Sequence, residues 1–127
     1  MGNGTSIGRV RALGSAHSGT HHWLLQRFTA IGNLILLSYL IGSFLLLPNM
    51  SYMVVHHWIA QPLPATAVAL LVISTFWHAR LGLQVVVEDY VHDHANKFAA
   101  LAALNLAAFA GTAFGLFSIV RIALGAA

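Results

Sequence analysis

Three blocks of this sequence, at about 28–47, 65–87 and 98–124, are almost wholly apolar. A bilayer hydrocarbon core of about 30 Å takes roughly 20 helical residues at about 1.5 Å each. Each block is long enough, so the chain reads as an all-α integral membrane protein with three transmembrane helices. Composition decides against a large soluble core. Of 127 residues, 58% are hydrophobic and 7% charged, whereas a soluble domain carries about 25% charged residues. Such a chain cannot cover a water-facing surface.

What remains outside the spans narrows the chemistry. The net charge of +3 is small and dispersed, which argues against a nucleic-acid partner. There is no cysteine, so the chain holds no disulfide, thiolate nucleophile or cysteine-ligated metal or iron–sulfur cluster. Eight histidines stand against three acidic residues, making imidazole the main coordinating group on offer.

In chain order, residues 1–13 are glycine-rich with Arg9 and Arg11. They lack the apolar run of a signal peptide and read as a tail; residues 14–127 read as one three-helix domain. At the entry to the first span His17, His21, His22, Trp23 and Arg27 crowd together as an interfacial cap, Trp23 suiting the headgroup region. His17 and His21 have ligand-like spacing but no third ligand beside them, so no zinc site is expected. Ser38 and Gly42 should share a face where another helix packs closely. Residues 48–64 read as a connector, with Tyr52 and Trp58 as interface aromatics and His56 and His57 facing solvent or the interface. In the third span Gly111 and Gly115 match a small-x3-small helix contact, and Arg121 can snorkel to the surface.

Orientation follows from the cations. Arg9, Arg11 and Arg27 precede the first span, Lys97 follows the second, and the first connector has no lysine or arginine. Positive residues gather on the inside. The N-terminus and second connector are therefore expected in the cytoplasm, and the first connector and C-terminus outside.

The stretch 76–94, FWHARLGLQVVVEDYVHDH, carries the chemistry. Ionisable groups within a span cost about 2.5–3.5 kcal/mol each on insertion scales and mark function by default. At about 100° per residue, His78, Gly82, Val85 and Asp89 form one stripe, with His78 roughly 16 Å deeper than Asp89. Gly82 removes a side chain one turn from His78, as a flat ligand packed on the helix would need. Three readings of His78 stay open: a hydrogen bond to a neighbouring helix, an axial haem ligand, or a proton relay. No second mid-membrane histidine exists here, and three such helices cannot enclose a haem alone, so the haem reading requires a partner. Arg80 faces away from this stripe and either snorkels or pairs with a haem propionate; Arg27 is an equal candidate. Asp89 and Tyr90 are either a helix cap and an aromatic belt residue, or a quinone pocket supplying a hydroxyl donor and a nearby acid.

His78-Ala79-x2-Gly82 followed by Asp89-Tyr90-Val91, with the entry segment Gly19-x-His21-His22-Trp23-x2-Gln26-Arg27-x-Thr29-Ala30, resembles the small membrane-anchor subunit of succinate dehydrogenase, respiratory complex II. The resemblance covers about residues 14–124. It implies a subunit with no catalytic activity alone, anchoring a flavoprotein subunit and an iron–sulfur subunit beside a cytochrome b membrane subunit. It implies His78 as one axial ligand of a haem b shared with that neighbour. It implies that Tyr90, supported by Asp89, binds ubiquinone, which takes the electrons of succinate oxidation. Arg27 and Arg80 toward haem propionates are weaker carry-overs. The same architecture could serve a quinol:fumarate reductase, and a cofactor-free structural anchor is the rival of another class. The unprocessed-looking start at Met1 leads us to expect a bacterial cytoplasmic membrane rather than the mitochondrial inner membrane.

Overall fold

A computed structural model describes residues 19–125; the tail 1–13 and His17 lie outside them. Among the described residues the chain is all helix: α1 (Gly19–Leu45), α2 (Tyr52–Ile59), α3 (Pro62–Tyr90) and α4 (His94–Ala123). Helices α1, α3 and α4 are each long and apolar enough to cross a membrane. The three spans are thus where the apolar blocks put them. Their ends are not, because the helices run past the apolar blocks at both α3 ends and at the starts of α1 and α4. Once a helix has formed, each added residue fixes one more backbone hydrogen bond, so the backbone stays helical through the polar entry residues His21, His22 and Gln26.

Local chemistry sets the ends. Pro62 and Pro64 sit in the first turn of α3, where a missing N–H costs nothing. Val91 closes α3 in an extended conformation (φ −98°, ψ 104°). Only residues 91–93 separate α3 from α4. The Asp93 carboxylate caps α4 by accepting a hydrogen bond from the Asn96 N–H at 2.9 Å, which also sets a negative charge on the positive helix end. Lys97 reaches back to donate to the Glu88 carbonyl at 3.0 Å, complementing the last turn of α3.

The expected connector 48–64 contains α2, an element the prolines obscured. Its Trp58 is buried and packs on Phe44, with ring centroids 4.9 Å apart and planes inclined at 52°. Trp58 is therefore a packing residue rather than an interface aromatic. Tyr52 and His57 are exposed, and His56 is half-buried beside the Tyr52 ring.

The three long helices form an open layer. Helix α3 packs against α1 on one side and α4 on the other, α2 lies against α3 and α4 and meets α1 through Trp58 and Phe44, and the backbones of α1 and α4 do not come together. The α3–α4 seam is set by glycine. A Cβ at Gly111 would overlap the Phe76 ring, and one at Gly115 would lie 2.7 Å from Val72 Cγ1. The expected small-residue contact is thus made, with Val72 and Phe76 as the knobs. The Ser38–Gly42 face is not used in this way. Ser38 is exposed and bonds its own helix at Leu34, and a Cβ at Gly42 would meet nothing within 4 Å. The close approach of α1 to α3 falls instead at Gly32, where a Cβ would lie 3.6 Å from Ser74 Oγ.

Candidate functional site

The α1–α3 seam carries a polar line inside an apolar layer. On α1, His22, Gln26, Thr29 and Asn33 recur at helical spacing along one face. On α3, Ser74, His78 and Gly82 follow the matching pattern. The two lines meet at the Thr29 hydroxyl, 3.0 Å from His78 Nδ1. Ser74 Oγ donates to the Thr29 carbonyl at 3.3 Å. His78 is half-buried, and Thr29 gives it its only side-chain hydrogen bond among the described residues. Its other ring nitrogen, Nε2, has no hydrogen-bond partner among the described residues. Around this bond stand three buried side-chain atoms with no partner: His22 Nε2, Gln26 Oε1 and Asn33 Oδ1. Buried polar groups are nearly always hydrogen-bonded, so these three atoms stand out as unsatisfied among the described residues.

Gly82 does not leave the opening its sequence position suggested. A Cβ there would lie 3.4 Å from Gln26 Nε2, so the Gln26 amide occupies that notch in part.

The remaining sequence candidates are dispersed. Arg80 lies on the other seam, its Nε donating to Asn105 Oδ1 of α4. It borders a cleft of about 250 Å³ formed with Ile73, Phe76, Trp77 and Phe109. Arg27 is exposed, with its guanidinium 5.3 Å from the Trp23 ring centroid. Neither arginine is brought to His78. Asp89 is exposed and Tyr90, the last residue of α3, is 78% exposed. They stand roughly 16–18 Å along the helix from His78, open to the surroundings at the α3–α4 turn.

Thr29, Gln26 and His22 were not singled out from sequence as site residues. The available signal was the recurrence of His22, Gln26, Thr29 and Asn33 along one face of an otherwise apolar helix.

Residues 1–114 match the family model of the succinate dehydrogenase/fumarate reductase transmembrane subunit. The chain belongs to this family. It is 42% identical over 86 residues to the succinate dehydrogenase hydrophobic membrane anchor subunit of Rickettsia bellii, covering 67% of this chain and 68% of the relative. It is 37% identical over 89 residues to the subunit of the same name in Rickettsia conorii, covering 69% and 71%. It is 29% identical over 87 residues to the succinate dehydrogenase membrane anchor subunit of Reclinomonas americana, covering 66% and 72%. This transmembrane subunit therefore presents, on one seam, a mid-span imidazole held through one nitrogen and, at one end, an exposed tyrosine–carboxylate pair.

Proposed function

We propose that this chain anchors a succinate:ubiquinone oxidoreductase in a bacterial cytoplasmic membrane, helping to bind haem b and ubiquinone. Family membership and the names of the relatives support the anchor role and its flavoprotein and iron–sulfur partners. The observation that carries the haem reading is the His78 ring, fixed near mid-span through Nδ1 by Thr29. A ligating histidine characteristically gives its non-ligating nitrogen to a second-shell partner, and His78 is held in that way. The donor set fits one half of a bis-histidine site, with the second imidazole coming from the cytochrome b partner. When bound, the haem supplies one-electron transfer chemistry in the membrane. His78 would bind and orient it, with Thr29 behind the imidazole. Arg27, exposed, is the better placed of the two arginines for a propionate held by a partner; Arg80 is engaged with Asn105.

At the α3–α4 turn, the Tyr90 hydroxyl donates a hydrogen bond to a quinone carbonyl. Asp89 beside it places a carboxylate within reach of water, able to relay a proton toward the reduced quinone. The deciding experiment is a reduced-minus-oxidised optical spectrum of the purified complex, wild type beside His78→Ala. Wild type should show a low-spin b-type band that the variant loses or converts to high spin. An unchanged band in the variant would remove His78 from the ligand set, and no band in wild type would leave a haem-free anchor.

A further inference from the structure

We infer that Thr29 is the positioning residue that selects the His78 tautomer and presents Nε2 as a bare lone pair. Thr29 Oγ1 lies 2.9 Å from the Leu25 carbonyl and 3.1 Å from the Gln26 carbonyl of its own helix. It also lies 3.0 Å from His78 Nδ1. A hydroxyl has one proton, and a carbonyl oxygen can only accept. Of the three acceptors within reach we assign the Thr29 proton to the α1 backbone, where two carbonyls compete for it and where a helical threonine usually bonds. A lone pair of Oγ1 then faces His78, so Nδ1 must be the donor. A neutral imidazole has one N–H. With that proton on Nδ1, Nε2 is the free acceptor.

The backbone around Thr29 keeps this arrangement in register. Ser74 holds the Thr29 carbonyl one turn of α3 from His78, and Gly32 lets α1 come close at the same level. Thr29 is thus gripped from α3 at two points. Threonine is β-branched, and in a helix its χ1 settles where Oγ1 reaches the i−3 and i−4 carbonyls. The acceptor is pre-aimed before the imidazole arrives. Because the donated Nδ1–H bond raises the basicity of the opposite nitrogen, Thr29 also tunes whatever His78 ligates.

This inference rests on His78 being a haem ligand, and the test separates the two. Thr29→Val, Thr29→Ser and His78→Ala are compared in the purified complex by optical spectrum, low-spin EPR signal and potentiometric midpoint. Thr29→Val keeps the shape and deletes the acceptor. It should raise the midpoint potential, shift the EPR signal and weaken haem retention by about 10–100-fold. Thr29→Ser should restore wild-type values. If Thr29→Val does not assemble, Thr29→Ala read against Thr29→Ser makes the same comparison. A Thr29→Val complex with wild-type potential and EPR signal, beside a His78→Ala complex that has lost ligation, would overturn the role of Thr29 and leave the ligand standing. Equal shifts in the serine and valine variants would also overturn it, since the hydroxyl would then not be the cause. An unchanged haem signal in His78→Ala would overturn the ligand reading and this inference with it.

Discussion

Tyr90 and His78 mark the two ends of what single residues do here. Tyr90 closes α3 with most of its surface exposed, so its hydroxyl is free to meet a ligand that arrives from outside the chain. Removing that hydroxyl without changing the ring tests the quinone role. Tyr90→Phe should lower succinate:quinone reductase activity by about 10²-fold, while succinate oxidation with a soluble artificial acceptor stays at the wild-type rate. Equal loss in both assays would point to failed assembly instead. His78 was legible from sequence because an imidazole in an apolar run is costly enough to need a reason. Thr29 was not. A threonine in a membrane helix satisfies itself on its own backbone, and only the register of α1 against α3 reveals that its second lone pair is in use. Arg27 and Arg80 were also easy to notice, and the fold sets them on an outer face and on the opposite seam.

Among the elements, α3 and α4 are joined by the shape of two glycines. Since a Cβ at Gly111 would enter the Phe76 ring, Gly111→Ala should destabilise the anchor by about 1–3 kcal/mol through overpacking. A lowered thermal midpoint of the detergent-solubilised complex reads this out. Gly42→Ala is the comparison, since a Cβ there meets nothing of this chain within 4 Å, and any shift it causes would report a neighbouring subunit rather than the α3–α4 seam. Hydropathy made the spans legible, because it reports which residues tolerate hydrocarbon. It is blind to backbone continuity, which is why the polar first turns of α1, from Gly19, escaped it. Helix α2 escaped for another reason. Eight residues bounded by prolines and carrying two histidines resemble a loop until the burial of Trp58 against Phe44 supplies a packing motive. The Ser38–Gly42 pair shows that small residues four apart permit a contact without producing one.

At the scale of the whole molecule, large apolar side chains face outward on every long helix, including Phe28, Leu34, Phe98 and Phe114. That surface suits lipid and neighbouring membrane subunits. We propose the orientation with α1 and α4 starting at the cytoplasmic face, from the positive residues at those ends. The chain has no cysteine, so single introduced thiols report sidedness directly. In intact cells an impermeant maleimide should label Ser51→Cys and spare Asp93→Cys, which should react only after the membrane is opened. The reverse pattern would invert the topology. One feature of the layer reaches further than the site. Helix α3 is the sole long helix with two long neighbours, and the backbones of α1 and α4 do not come together. Residues without shared contacts act independently. Over evolutionary time α1 and α4 are therefore free to drift separately, each matched only to its own side of α3. Helix α3 must stay compatible with both at once.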